Sequence, residues 1–348
     1  MIFVIIFFVI GFTKTSFGIS FFFVFGNLKL KKYSLFFAVL ASCTVHANAD
    51  SQWNQFTPSN VSASLSSGIL NGGKAHELVL ADNEKLSQLN WEMKNAPIVK
   101  ADLSWQFLPW LSFNANGWTT VSSNKTTMDD YDWQDEEDAN LVTDWSHHPN
   151  AKLNHANEFD LNFQGLIFNK PSLKVSGLVG YQESRFSWNA SGGTFRYSDS
   201  DEEGDYIPGS AQTLEGEFEP GVSIIGYQQK FSVPYFGLAG QYIYKNFELN
   251  GSVKYSPWAK AKDFDNHYLR SFVSTNNAKR SDYYGATVNV GYNVIPGTKL
   301  FTEFNWNEYK LAKGPTWQDV DGEQGYSGAT GGISNKHYTL SVGVKHTF

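Results

Sequence analysis

After residue 50 the hydropathy of this chain alternates with a period of two, and that pattern leaves few folds open. Tyr284, Ala286, Val288, Val290, Tyr292 and Val294 are apolar, with Gly285, Thr287, Asn289, Gly291 and Asn293 between them. Tyr338, Leu340, Val342, Val344 and Phe348 alternate with Thr339, Ser341, Gly343, Lys345 and Thr347. Phe159, Leu161, Phe163 and Ile167 alternate with Asp160, Asn162 and Gln164. Strand side chains point to opposite faces in turn, so each stretch predicts a strand with one apolar and one polar face. No stretch after Asp50 approaches the roughly 18 continuous apolar residues of a membrane helix.

Such strands build either a soluble sandwich, whose apolar faces meet, or an outer-membrane barrel, whose apolar face meets lipid. Three features favour the barrel: a terminal alternating strand ending in Phe348, aromatics crowded at strand ends, and connections of two kinds. The tight ones are Leu108-Pro109-Trp110, Asn169-Lys170-Pro171-Ser172, Lys245-Asn246-Phe247 and Ile295-Pro296-Gly297-Thr298. The long, polar ones fall at roughly 82–86, 124–157, 190–215, 266–281 and 313–335. Four short and five long connections join ten strands. The predicted fold is therefore all-β: a transmembrane ten-stranded antiparallel barrel with short periplasmic turns and long extracellular loops. Closure leaves no edge and satisfies every backbone hydrogen bond within lipid.

The N-terminus reads as an export signal over residues 28–49. Lys29, Lys31 and Lys32 precede an apolar run from Tyr33 to Ser42, and Ala47-Asn48-Ala49 is a cleavage site. The mature barrel then spans residues 50–348. A lipoprotein signal at Leu40-Ala41-Ser42-Cys43 is the competing reading, with Cys43 lipidated. Residues 1–27 form an apolar extension nearly long enough for a membrane helix; they read as a mis-assigned start or an anchor. Cys43 is the only cysteine, so a chain cut at Ala49 has no disulfide, thiol nucleophile or thiolate metal site. The formal charge is −7 although the first 49 residues hold four lysines and no acids, so the acidity lies in the body. That argues against nucleic acid and suits a cationic substrate.

Two clusters carry chemistry. In Lys262-Asp263-Phe264-Asp265-Asn266-His267-Tyr268, an extended backbone puts Asp263, Asp265 and His267 on one face. In Asp129-Asp130-Tyr131-Asp132-Trp133, Asp130 and Asp132 share a face. Both lie on the long-loop rim, so they can meet across the barrel mouth. A histidine braced by one carboxylate and faced by a carboxylate pair suffices for acid–base activation of water. Ser146-His147-His148-Pro149 invites a serine-protease reading, but no Gly-x-Ser-x-Gly context surrounds it. The acidic runs at 135–138 and 199–205 read as solvated loop faces that could draw in basic peptides.

At these residues the chain resembles the omptins, outer-membrane endoproteases of Gram-negative bacteria. The resemblance covers nearly the whole mature chain. It is carried by Asn157-Glu158-Phe159-Asp160-Leu161-Asn162, Gly180-Tyr181-Gln182-Glu183-Ser184-Arg185, Lys254-Tyr255-Ser256, the Asp-x-Asp-Trp of residues 130–133, and Asp265-Asn266-His267-Tyr268. It implies a monomeric, cofactor- and metal-independent enzyme with its active site facing the cell exterior. The implied reaction is cleavage between basic residues in peptides and host proteins. In the resembled mechanism His267 and Asp265 activate a water, while Asp130 and Asp132 position it. Asp263 and Glu77 would form the pocket for the basic side chain; an extra glycine in Gly72-Gly73-Lys74-Ala75-His76-Glu77 makes His76 the fallback. Tyr181, Glu183, Arg185, Lys230 and Lys279 would hold the phosphates of lipopolysaccharide, a required partner. Lys230 stands where the best-known relatives have arginine, and brings a point charge rather than a planar fork. Two non-proteolytic readings remain: an adhesin or invasin that binds through its loops, and a porin. Side chains filling a ten-stranded barrel disfavour the porin.

Overall fold

The computed structural model describes residues 2–13, 16–27, 60–72, 74–81, 84–202 and 204–348. The expected signal segment and its cleavage site, with Cys43, lie outside them. By compactness the chain divides into residues Met1–Phe56 and Thr57–Phe348. In the first unit, β1 (Ile2–Thr13) pairs antiparallel with β2 (Ser16–Asn27), so the apolar extension is a hairpin here and not a helix.

The second unit is one closed antiparallel sheet. Its strands are β3 (Val61–Asn71), β4 (Lys74–Ala81), β5 (Glu84–Glu92), β6 (Ala96–Leu108), β7 (Leu111–Thr120), β8 (Asn124–Asp132), β9 (Asp144–Lys170), β10 (Leu173–Tyr197), β11 (Leu214–Tyr244), β12 (Phe247–His267), β13 (Phe272–Ile295), β14 (Thr298–Val320) and β15 (Glu323–Thr347). Thirteen strands make ten staves because the first three staves are each broken once. β3 and β4 both pair with β15; below the breaks β3 pairs with β6 and β6 with β7, above them β4 pairs with β5 and β5 with β8, and β7 and β8 share β9. The break after β3 falls at Gly72, whose φ of 72° and closeness to the Tyr338 ring exclude a side chain.

The four expected tight turns are the turns at one end of the barrel. The expected long loops are shorter than read. β12 runs to His267 and β13 restarts at Phe272; β14 and β15 extend to Val320 and Glu323. Above the lipid level these strands lose their apolar outer face, so alternation fades while backbone pairing continues. The outward belt of Phe159, Leu161, Phe163, Val179, Phe236, Leu238, Val253, Val288, Val290, Leu340 and Val342 is exposed, as a lipid-facing surface requires. On β12 its upper edge is Trp258.

Inside, an aromatic plug separates the two ends. Trp91 stacks on Tyr227 at 5.7 Å, and Trp188 lies 5.9 Å from Tyr227 and 5.7 Å from Phe186. All four are essentially buried. Below the plug lies a polar cavity of about 430 Å³ whose walls include Lys100, Glu303, Asp160 and Lys254. Above it lies the rim that carries the candidate site.

Candidate active site

β12 delivers one wall. Its upper turns alternate buried and exposed, with Asp263 and Asp265 buried and Lys262 and Phe264 facing out. The expected shared face is therefore observed. A ring N–H of His267 (Nε2) donates to Asp265 Oδ2 at 2.6 Å, which leaves the other ring nitrogen its lone pair. Burial disfavours the imidazolium, but Asp265 more than compensates, with Asp130 adding to it, and the ring titrates above its ordinary value.

β8 delivers the other wall, held by β5 (Leu89 opposite Asp130) and β9 (Ser146 opposite Asp130). Asp130 and Asp132 are half-buried in the groove. Burial holds the Asp130 carboxyl well above the usual carboxylate range; Asp132 adds to this and His267 opposes it. Burial raises Asp132 as well, against a hydrogen bond from Ser87. The two walls are thus close enough to perturb each other's proton equilibria. Asp130 Oδ1 and Asp265 Oδ1 are buried oxygens with no protein hydrogen-bond partner.

Below His267 lies a second acidic centre. Asn276 bridges Glu77 and Asp263: its side-chain amide donates to Glu77 Oε1 and to Asp263 Oδ2, each at 3.1 Å, and its backbone N–H donates to Asp263 Oδ1 at 2.8 Å. Ser274 donates to Glu77 Oε1 at 3.3 Å and Tyr227 to Asp263 Oδ2 at 3.2 Å. Burial, then Asp265 and Asp263, push Glu77 well above its ordinary value. Burial lifts Asp263 to about 7, against its hydrogen bonds with Asn276. Glu77 and not His76 faces this centre; His76 hydrogen-bonds Asn90 on the other face of the sheet.

Sequence reasoning missed Asn276, Ser274 and Tyr227, which set these carboxylates, and also Tyr197 and Arg270. Burial, then Asp130, push the Tyr197 hydroxyl up to about 12. Arg270, in the turn after His267, acts electrostatically on Asp130, Asp132 and His267. Only strand register, which a sequence does not print, would have found the first three. Ser146 and His148 do meet, at 3.0 Å, but both are buried and His148 is tied to the Gly192 carbonyl. A nucleophile so enclosed cannot reach a peptide.

On the outer wall Glu183 gathers its neighbours. Arg185 Nε donates to Oε1 at 2.9 Å, Lys230 Nζ lies 3.1 Å from Oε2, and the Tyr181 hydroxyl donates to Oε2 at 3.2 Å. Lys279 stands apart, exposed on β13, with no ion pair to this group among the described residues.

The chain matches the omptin family over residues 57–348. It belongs to that family. It is 41% identical to the plasminogen activator of Yersinia pestis over 328 residues, covering 92% of this chain and all of that one. It is 39% identical to protease 7 of Escherichia coli K12, covering 86% of this chain and 94% of that one. The barrel superposes on the crystal structure of the outer-membrane protease OmpT from Escherichia coli with a TM-score of 0.76, at 39% identity over 84% of this chain and 98% of the other. This omptin is thus an outer-membrane peptidase on the barrel of that family.

Proposed function

We propose that this omptin is an endopeptidase whose groove faces the cell exterior. It cuts peptides and exposed protein segments at basic, above all dibasic, sites, using a water activated by His267 and Asp265. The observation that carries this reading is the Asp265–His267 hydrogen bond facing Asp130 across the groove. With one nitrogen donating to Asp265, the other accepts the proton of a water attacking the scissile carbonyl, and Asp265 stabilises the imidazolium that forms. Asp130 and Asp132 hold that water, and the raised Asp130 keeps a proton to donate to the tetrahedral intermediate.

The Glu77–Asp263 centre selects the basic side chain before the cut. A guanidinium or ammonium entering there displaces the protons that burial and crowding keep on these carboxyls, and ion-pairs with them. On the outer wall, the Glu183 group with Arg185, Lys230 and Tyr181 takes lipopolysaccharide phosphate, and activity depends on that lipid. Lys279 belongs to the same collar of charge.

The test uses refolded barrel with and without lipopolysaccharide on a fluorogenic Arg-Arg peptide and on its Ala-Ala counterpart. Cleavage of the first alone, and only with lipid, is expected. Equal cleavage of both would defeat the specificity, full activity of His267→Ala would defeat the mechanism, and cleavage without lipid would defeat the dependence. No cleavage of either peptide would favour a loop-binding adhesin.

A further inference from the structure

Just above the Trp258 edge of the apolar belt, the outer wall carries like charges in register. Arg185 on β10 lies directly opposite Lys230 on β11, and Lys230 lies directly opposite Lys262 on β12. Opposite residues of an antiparallel pair have Cβ atoms about 5 Å apart, where like charges repel. Lys260 precedes Lys262 by two residues on the same exposed face. The neighbouring stretch of β13 is reached through the Ala261–Ala278 pair and carries exposed Lys279 and Arg280.

The carboxylates do not balance this. Glu183 is already shared by Arg185 and Lys230. Among the described residues Lys260, Lys262 and Lys279 have no carboxylate within ion-pairing distance. The body of the chain is acidic, so this concentration of cations is not a matter of composition. The repulsion in a row of opposed lysines at the membrane surface is relieved where an external anion lies between them, and at that height the anions are lipid headgroups.

We propose that Lys260 and Lys262, with Lys279 beside them, form a second phosphate subsite for lipopolysaccharide, next to the Glu183 group and separate from it. This rests on the reading of lipopolysaccharide as partner given above. The subsite gives Lys279 a function that the Glu183 group does not. It makes the collar span four adjacent strands, β10 to β13, and it lies on the outer side of the β12 segment whose inner side carries Asp263 and Asp265. Phosphate bound there steadies the segment that holds the catalytic histidine.

The test titrates the full-length refolded protein in detergent with lipopolysaccharide, following Arg-Arg peptide cleavage and, separately, lipid binding by calorimetry. Each lysine at an anionic surface contributes on the order of 1 kcal/mol, so K260Q/K262Q is expected to need ~30-fold more lipid for half-maximal binding and activation. Cleavage at saturating lipid stays at the parent level. Lipopolysaccharide stripped of phosphate by hydrofluoric acid should bind variant and parent alike. A shift below about threefold, or an undiminished shift with stripped lipid, overturns the subsite. If R185Q/K230Q shifts the titration and K260Q/K262Q does not, only the second subsite falls. If neither does, lipopolysaccharide itself is the wrong partner. Heat-modifiable gel mobility establishes that each variant is folded, and the calorimetric arm still reports for one that is folded but inactive.

Discussion

The barrel interior holds two sets of buried carboxylates, one at the lipid level and one at the rim, and they are built by opposite rules. At the lipid level three acids each have a lysine. Lys100 pairs with Glu303, Lys254 with Asp160, and Lys299 with Glu248. At the rim the acids have one another. Glu77, Asp263, Asp265, Asp130 and Asp132 share a groove with His267 and, at its edge, Arg270. A paired buried charge is a structural solution, because the partner repays part of the desolvation. A crowd of like charges is tolerated only where the fold holds it rigidly and something outside uses it. The lower set keeps a polar lumen stable, and the rim set is the one on which the proposed proton transfer and cation binding rest.

The sharpest way to break this contrast is to remove one group from each set. At the rim, His267→Ala or Asp130→Ala should lower kcat by about 10³-fold, within the range general acid–base groups supply, with an unchanged midpoint of heat unfolding on gels. At the lipid level the order should invert. Lys254→Ala strands Asp160 and should cost about 3 kcal/mol of stability, read as a lowered unfolding midpoint. Its kcat should stay within a few-fold of the parent at temperatures where both are folded. A large loss of kcat in Lys254→Ala at unchanged stability would end the division.

The next effect is smaller and separates the two rim centres. Glu77→Gln keeps the shape of the pocket and the Ser274 and Asn276 hydrogen bonds but removes one acid. It should raise KM for Arg-Arg peptides by roughly 30-fold, the worth of one charge-assisted contact, with a far smaller change in kcat. A fall in kcat at constant KM would move Glu77 into the reaction itself.

How much of this was legible before the structure follows from the reach of each signal. Period two fixed the ten staves, because side-chain alternation is local and lipid demands it. The breaks at Gly72 and Asn95 were not legible: a glycine or asparagine at positive φ looks like any turn residue until a neighbour such as Tyr338 shows what the bend avoids. Above the belt the outer face turns polar, so Phe272 to Asn276 and Val320 to Glu323 read as loop although they are strand or the tip of a strand pair. Asp263, Asp265 and His267 were legible because two-residue spacing alone places them together. Asn276 was not, since the carboxylates it joins come from β4 and β12, strands nearly two hundred residues apart in sequence. The resemblance alone places Lys279 with Glu183; the register sets its stretch of β13 next to β12, two strands from Lys230.

The last comparison is a pH dependence with opposite signs for stability and binding. Burial holds the Asp263 proton in the folded state up to about 7, against an ordinary value of 3.8. Between roughly pH 4 and 7 the folded state therefore binds more protons than the unfolded chain, and stability falls as pH rises through that window. Below it both states are protonated and above it both are ionised, so the slope vanishes. A basic side chain needs the ionised pocket, so KM for Arg-Arg peptides should fall as pH rises through 7, just where stability reaches its lower plateau. Asp263→Asn should flatten the stability slope over that window and remove this limb of the KM profile. The lower-barrel variant Lys254→Ala should leave both curves parallel to the parent's. If Asp263→Asn leaves the KM profile unchanged, the pocket's charge comes from elsewhere in the groove, and Glu77 with Asp265 becomes the pair to examine.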